Sequence, residues 1–404
     1  MSLLPSFLSR EPQIHDSFLG VDIGTTSAKV AVFALGENGV SLLGLGEEDY
    51  EGSDSRVALY KSPKVISVAL QVALEKAGQG LGKLPKETIV GLSGEAVLGF
   101  STQVRLNRGQ ASNSPITEAE MKQLYARTDQ TSWEEAQSIY LAEKGHGKVH
   151  FDIIGSKINH IAVGEATVFE PLGKTGASVR ITQFSSFAIS EYLSAVQSVL
   201  SNVGLKFVTA VSNSASEAEA LVPGSLNEFN AILIDIGGFS TEIGLIYGRN
   251  LTYLRSFSLG SSSINTALLS ACDLTYAEAE AMKREMVIDP TRKTEGCPLK
   301  QVAANVANMW SNGVAILLEE CRQVRVFPSR VLLSGGGSLL PQFKEALITN
   351  SWTRGLPFES FPKVEVLETK DLKGISLTSG TIKGNSGLGV ISLGLVGLQI
   401  KDKV

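Results

Sequence analysis

The sequence predicts an α/β protein made of two similar half-domains that face each other across a cleft. Two stretches, residues 18–33 and 231–246, share one pattern: an apolar strand, Asp-Ile-Gly, small or hydroxylated residues, and a second apolar strand. The pattern is typical of a β-hairpin whose turn carries free backbone N–H groups beside a carboxylate. The chain has 404 residues, which is too long for one small core, so two or more lobes are expected.

The first hairpin turn combines glycine with hydroxyl groups, as an anion-binding turn requires. Glycine lets the backbone approach an anion closely, and successive N–H groups form a concave nest. We therefore expect the β and γ phosphates of a nucleoside triphosphate to be wrapped by Gly24, Thr25, Thr26 and Ser27. Lys29 lies just past the turn, and it either reaches the phosphates or points outward from its strand.

The second turn is expected to hold the same phosphates from the opposite side, through Gly237, Gly238, Ser240 and Thr241. A carboxylate does not bind phosphate directly. Asp22 and Asp235, at matching turn positions, are therefore predicted to hold a divalent cation through water, as hard cations prefer oxygen ligands. One such hairpin alone would be weak support, because Asp-Gly turns between strands are ordinary.

A third motif, residues 330–341, runs from an apolar strand into three glycines and then into a predicted helix. That geometry suits a nucleotide at the helix N-terminus. Taken alone, the first or third motif is explained equally well as a structural turn. The ordered set of three is hard to explain in that way.

The three motifs, in this order, resemble the signatures of the actin, Hsp70 and sugar-kinase superfamily, and within it the FtsA and PilM family. The resemblance covers the chain from about Phe18 to its end. It implies the actin-like ATPase fold, with two RNase-H-like lobes around a nucleotide cleft and an inserted SHS2-type subdomain. It also implies ATP and Mg²⁺ as cofactors.

The resemblance assigns further nucleotide-binding positions. Those implied to pack against adenine and ribose are Gly335, Gly336, Gly337 and Ser338. The helix that begins at Thr275 resembles a family element that contacts ribose and base, here through Glu280 and Lys283. The alternative is a solvated ion pair within that helix, since residues three apart share a face. Gly260, after the third strand of the second lobe, completes the predicted set.

The predicted organisation has six parts. A lead-in over 1–16 precedes the first lobe (17–111), the inserted subdomain (112–204), the second lobe (205–262), a small helical subdomain (263–325) and a return to the first lobe (326–404). Within the insertion, Thr117 and Glu120 form a capping-box pattern that begins a polar helix to about Arg127. Two strands are expected next, at 149–158 and 161–168.

Composition narrows the classes of partner. A net charge of −5 gives no general attraction to nucleic acid and disfavours an anionic membrane surface. The three cysteines, Cys272, Cys297 and Cys321, are widely spaced, which favours a reduced cytoplasmic protein. No run reaches the roughly 18 apolar residues of a membrane-spanning helix.

The residues near the linking helix favour slow hydrolysis. Family members that hydrolyse ATP well place a Glu or Gln there to orient the attacking water. Ser212 or Asn213 falls at that position in this chain, with Glu217 as a substitute about one helical turn along. The protein is thus expected to be at most a slow ATPase.

The leading hypothesis is an FtsA-like bacterial cell division protein that recruits or tethers an FtsZ-like polymer and other divisome proteins, with ATP as the switch. Self-association into filaments and peripheral membrane association are left open, and no nucleic acid partner is expected. FtsA ends in a basic amphipathic helix, whereas this sequence ends Gln399-Ile-Lys-Asp-Lys-Val404. That difference favours one alternative, a PilM-like scaffold of type IV pilus assembly. Another alternative is a kinase or phosphatase of the same superfamily.

Overall fold

The computed structural model describes residues 14–37, 39–50, 62–145, 147, 149–222, 228–289, 297–321, 324–349, 352–377 and 387–401. Its strands are β1 Ser17–Ile23, β2 Ser27–Gly36, β3 Gly39–Asp49, β4 Glu87–Leu92, β5 Val97–Asn107, β6 Phe151–Val163, β7 Ala166–Thr167, β8 Ser178–Ile189, β9 Lys206–Ser212, β10 Ala231–Ile236, β11 Thr241–Tyr247, β12 Asn250–Phe257, β13 Arg330–Ser334, β14 Lys363–Val366 and β15 Ile375–Leu377. Its helices are α1 Pro63–Ala77, α2 Glu118–Lys144, α3 Ser190–Asn202, α4 Asn213–Leu221, α5 Ser262–Ala271, α6 Tyr276–Ile288, α7 Leu299–Glu319, α8 Pro341–Thr349 and α9 Leu388–Lys401.

The strands form two sheets. The six-stranded sheet has the order β15-β3-β2-β1-β4-β9, and the nine-stranded sheet has the order β14-β13-β10-β11-β12-β5-β8-β6-β7. In the first sheet, β1 runs antiparallel to β2 and parallel to β4. In the second sheet, β10 runs antiparallel to β11 and parallel to β13. The repeated hairpins therefore occupy equivalent positions in two lobes, as the sequence predicts.

The first lobe is held together by an apolar core that includes the C-terminal helix α9. Phe18 and Phe33 are fully buried and stack with ring centroids 4.9 Å apart. A Cβ at Gly397 of α9 would lie 2.1 Å from the Phe18 ring. The glycine therefore allows α9 to lie directly on β1, and the chain returns to the first lobe at its end.

The inserted segment differs in two ways from the predicted elements. The helix α2 begins at the predicted Thr117–Glu120 capping box but continues to Lys144, so the end near Arg127 is wrong. Neither glycine nor proline interrupts the segment before Gly145. The two strands expected at 149–158 and 161–168 form the single strand β6, which tolerates an irregularity between Ile158 and His160, followed by the short β7.

The strand β5, which the sequence pattern did not predict, connects the inserted segment to the second lobe. It pairs along its whole length with β8 and, at Phe100 and Gly99, with Tyr253 and Leu254 of β12. The nine-stranded sheet therefore runs without a break from the second lobe into the inserted segment.

The stretch after the second lobe is helical: α5 packs against α6 and α7, and all three contribute to one buried core that includes Trp310. Cys272 and Cys297 form a disulfide that joins the two ends of the segment containing α6. The expectation of reduced cysteines is therefore wrong, because the two residues are 25 positions apart and only the fold brings them together. None of the described helices is long and apolar enough to cross a membrane.

Candidate functional site

A cleft of about 990 Å³ lies between the two sheets, at the turns of both repeated hairpins. The predicted residues that line it are Asp22, Gly24, Thr25, Thr26, Ser27, Lys29, Asp235, Gly237, Gly238, Ser240, Glu280, Lys283, Gly335, Gly336 and Gly337. Residues from widely separated parts of the sequence thus meet in one cavity.

The two hairpin turns have matching backbone geometry. The N–H of Gly24 donates to the carbonyl of Ser27 at 3.0 Å, and the N–H of Gly237 donates to the carbonyl of Ser240 at 2.9 Å. The strand registers match as well, but the residue facing the aspartate differs. Asp22 lies opposite Lys29, whereas Asp235 lies opposite Glu242. The first hairpin therefore adds an ammonium group to the cleft where the second adds a carboxyl group.

The two turns touch each other. The N–H of Phe239 donates to Thr25 Oγ1 at 3.3 Å, and a Cβ at Gly238 would lie 2.5 Å from Thr26 Cγ2. Only glycine permits this approach. The turns are therefore close enough for one phosphate chain to contact both.

Lys29 points into the cleft and not outward. Its Nζ lies 3.7 Å from Asp22 Oδ2 and 3.6 Å from Glu47 Oε1. Burial lowers the pKa of Lys29, but the carboxylates Asp22, Glu47 and Asp235 outweigh this effect and raise it above its ordinary value. The lysine is therefore charged and available to a phosphate.

Asp22 and Asp235 together fit a divalent cation held through water. The pKa of Asp235 is raised to about 6, first by burial and then by Asp22, while Lys29 acts in the opposite direction. Two carboxyl groups that interact electrostatically with each other and with only one lysine leave negative charge that a cation would neutralise. Within the described ranges, no group of three or more His, Cys, Asp or Glu side chains is arranged to hold a metal directly.

The linking helix α4 contacts both hairpins. Ser212 caps the N-terminus of α4, because its Oγ accepts from the N–H of Ala215 at 3.2 Å. Asn213 reaches the cleft instead, and its Nδ2 donates to Asp22 Oδ1 at 3.1 Å. An amide therefore stands beside the first aspartate, and the side chain offers no carboxylate to a water molecule there.

Two buried glutamates, Glu217 and Glu242, also line the cleft. Glu242 accepts from the hydroxyl of Ser214 and from the N–H of Gly94, the latter at 3.1 Å, so it joins α4 to the first lobe. Burial raises the pKa of Glu242 to about 8. Burial and then Asp235 raise the pKa of Glu217 well above its ordinary value. Glu217 Oε2 has no hydrogen-bond partner in the part of the chain that the structure describes.

Gly335 allows the third motif to approach Asp235. Its φ is 76°, and a Cβ there would lie 2.1 Å from Asp235 Oδ1. Gly336 to Leu339 form a short 3₁₀ turn before α8. The Ser338 hydroxyl donates to the carbonyl of Gly335 at 2.7 Å, so this serine closes the turn and does not line the cleft.

On α6, Glu280 and Lys283 form the predicted pair, but it is not solvated. Lys283 Nζ lies 2.6 Å from Glu280 Oε2, and Lys283 is only 7 % exposed. Glu280 also accepts from Arg284 Nε at 2.8 Å and from Asn265 Nδ2 at 2.6 Å. Burial alone would raise the pKa of Glu280, but these donors outweigh burial and lower the pKa to about 2. Glu280 is thus ionised and holds the side chains of Lys283 and Arg284 in place.

Two other predicted residues support the site from behind. Thr241 Oγ1 donates to the carbonyl of Leu259 at 2.7 Å and accepts from Trp310 Nε1 at 2.8 Å, so it faces the core. A Cβ at Gly260 would lie 2.6 Å from the carbonyl oxygens of Gly237 and Gly238. Thr241 and Gly260 therefore position the second turn without lining the cleft.

Sequence reasoning missed several lining residues. Glu242 could have been predicted from the repeat, since it occupies the position in the second hairpin that Lys29 has in the first. No local pattern marked Tyr50, because its hydroxyl donates to the carbonyl of Gly24 at 3.0 Å only as a result of β3 lying beside β2. No local pattern marked Asp49 and Arg284 as lining residues either, because they come from different lobes and only the fold brings them to the cleft.

No protein-family model matches the chain. The cell division protein FtsA of Bacillus subtilis is 21 % identical over 345 residues, which cover 81 % of this chain and 75 % of that protein. FtsA of Enterococcus faecalis is 20 % identical over 347 residues, covering 80 % and 74 %. A solved structure, the PilM-PilN type IV pilus biogenesis complex, superposes with a TM-score of 0.64 at 17 % identity, covering 94 % of this chain and 98 % of that chain. The predicted actin-like ATPase fold and the resemblance to FtsA and PilM are thereby confirmed.

Proposed function

From its actin-like ATPase fold and its similarity to FtsA and PilM, we propose that this chain is an ATP-binding switch protein that recruits or tethers partners of bacterial cell division. The observation that carries the proposal is the pair of matched hairpin turns that touch at Thr25 and Phe239, with the glycine turn at Gly335 beside them. Similarity to FtsA over most of the chain supports the choice of cell division. An FtsZ-like polymer and divisome proteins are the proposed partners.

In this proposal the two hairpin turns bind the β and γ phosphates and the glycine turn packs against adenosine. Asp22 and Asp235 would hold Mg²⁺ through water, and the cation would neutralise phosphate charge. Lys29 supplies a second positive charge from the first hairpin. Because each lobe contributes one turn, a triphosphate that contacts both would stabilise the closed arrangement of the lobes.

Slow hydrolysis follows from the side chain at Asn213. Its side chain is shorter than the Glu or Gln that orients the attacking water in family members that hydrolyse ATP well, and its amide already donates to Asp22. The nucleotide would then persist long enough to act as an assembly signal. A cytoplasmic location, with partners at the membrane, belongs to the same proposal and rests on the similarity to FtsA, since the Cys272–Cys297 disulfide removes the argument from reduced cysteines.

A second candidate is a PilM-like scaffold, favoured by one observation: the superposition on the PilM-PilN complex extends over 94 % of this chain. A kinase or phosphatase of the same superfamily is a third candidate and would require fast turnover with a small-molecule acceptor.

Calorimetry of ATP with Mg²⁺, with phosphate release followed in parallel, tests the proposal. We expect binding by the wild type, its loss in Asp235→Ala, and little phosphate release. Asp152→Ala, which removes an exposed carboxylate from β6, is the matched control and should bind normally. Failure of the wild type to bind would refute the switch, and rapid turnover would favour the enzyme. Pull-down with FtsZ against PilN then separates the two scaffolds.

A further inference from the structure

An ion pair joins the two lobes at the edge of the cleft. Arg284 on α6 and Asp49 at the end of β3 both line the cavity, and Arg284 Nη2 lies 2.7 Å from Asp49 Oδ2. The side chains are 57 % and 51 % exposed, so the pair lies at the solvent boundary. The pair therefore bridges the cleft where its lining is open to solvent.

The guanidinium of Arg284 is held in place by Glu280 independently of its contact with Asp49. Its Nε donates to Glu280 Oε1 at 2.8 Å, while Lys283 and Asn265 hold the other oxygen of Glu280. A planar fork held on one side loses less conformational freedom when the second contact forms. The pair is therefore better organised than a typical exposed ion pair.

Asp49 is tied equally closely to the first phosphate turn. The N–H of the next residue, Tyr50, donates to the carbonyl of Thr26 at 3.0 Å, and the Tyr50 hydroxyl donates to the carbonyl of Gly24 at 3.0 Å. Movement of that turn is thus transmitted to Asp49 through one peptide unit. The ion pair connects the first phosphate turn of one lobe to α6 of the other.

We propose that Asp49 and Arg284 are positioning residues of the nucleotide site, whose ion pair closes the cleft over a bound nucleotide and must break before the nucleotide leaves. The inference rests on the proposed nucleotide binding and adds to it the step that limits release. Exposed ion pairs contribute little on average, so loss of this pair should accelerate dissociation by about two- to fivefold.

Stopped-flow displacement of a fluorescently labelled ADP from the full-length protein, with Mg²⁺ present, measures that step. Asp49→Asn is the primary variant, because it leaves the contact between Arg284 and Glu280 intact. Arg284→Gln and the double variant complete a thermodynamic cycle. Lys76→Gln is the matched control: Lys76 pairs with Glu48 at the same edge of the cleft, but both residues belong to the first lobe.

We expect Asp49→Asn to release nucleotide about two to five times faster than the wild type, with the double variant no faster than the faster single variant. The difference should shrink between about 50 and 500 mM salt, because salt screens an exposed pair. Lys76→Gln should release at the wild-type rate.

Two outcomes would overturn the inference while leaving nucleotide binding intact. One is a wild-type release rate in Asp49→Asn. The other is a double variant whose rate increase equals the product of the increases in Asp49→Asn and Arg284→Gln. Equal acceleration in Lys76→Gln would also overturn it, because charge at the edge and not the bridge between lobes would then be responsible. Absence of binding in the wild type would overturn this inference together with the proposed function.

Discussion

Lys157 of β6 and Glu219 of α4 form an ion pair, with 2.7 Å between Nζ and Oε2 and with side chains that are only 13 % and 29 % exposed. At its other end the same helix carries Asn213, which donates to Asp22. One short helix therefore contacts both the candidate metal site and the inserted segment. A change in the cleft has a direct route to β6.

Glu219→Gln should weaken the response of the inserted segment to nucleotide. We expect the amide-exchange protection that β6 and β8 gain on binding to fall by about three- to tenfold, the scale of one charge-assisted hydrogen bond. Hydrogen exchange with and without ATP and Mg²⁺ measures it. Glu165→Gln is the control, because Glu165 is 85 % exposed and lies 3.7 Å from Arg180. An unchanged response in Glu219→Gln would exclude α4 as the route.

Arg108→Ala should destabilise the inserted segment by about 2 kcal/mol, since removing this buried guanidinium leaves several hydrogen-bond acceptors without their donor. The Arg108 side chain is 1 % exposed. Its Nε donates to Glu120 at 2.8 Å, and its Nη atoms donate to the carbonyls of Ser114, Pro115 and Gly176. Denaturant unfolding measures the loss. Arg180→Ala, which breaks an exposed pair, should stay within about 1 kcal/mol; similar losses in both variants would refute the argument.

Glu242→Gln should flatten the pH dependence of stability in the absence of nucleotide. Burial raises the folded-state pKa of Glu242 from the ordinary 4.5 to about 8. Between those values the folded state keeps a proton that the unfolded state releases. The favourable contribution is therefore complete below about pH 4.5 and is lost as the pH rises towards 8.

One such proton gives a slope of about 1.4 kcal/mol per pH unit. Chemical unfolding of the wild type and Glu242→Gln, at several pH values across this window, should give slopes that differ by up to that amount. The raised pKa values of Asp235 and Glu217 also lower stability as the pH rises, and both groups remain in Glu242→Gln, so the variant keeps part of the slope. Identical slopes would mean that Glu242 is ionised in the folded protein.

Gly335→Ala should lower the affinity for ATP with Mg²⁺ by about tenfold or more, because its Cβ would displace Asp235. Gly355→Ala is the matched control. Gly355 also has a positive φ, of 91°, but no described heavy atom lies within 4 Å of its Cβ position. The control should lose about 1 kcal/mol of stability and keep its affinity. Calorimetry and thermal unfolding separate the two effects, and equal affinity in both variants would contradict the proposed role of Asp235.

The repeated hairpins could be predicted from the sequence because their pattern is local: apolar strand, Asp-Ile-Gly, and strand again. The capping box at Thr117 was predictable for the same reason. The pairing of β5 with β12 was not, since it depends on two strands about 150 residues apart. Nor could the sequence predict that Thr241 and Ser338 turn away from the cleft, because Trp310 and Gly335 determine their orientation.

The continuous nine-stranded sheet has a mechanical consequence. The inserted segment is joined to the second lobe at β5 and β12 by backbone pairing, by Ser101 Oγ donating to the carbonyl of Thr252 at 3.0 Å, and by Asn159 Nδ2 donating to the carbonyl of Leu251 at 3.1 Å. A pull on the inserted segment would reach the second lobe as tension across strands and not through a flexible tether. Because β5 and β12 pair at two positions, the side-chain hydrogen bonds of Ser101 and Asn159 supply part of the connection at this junction.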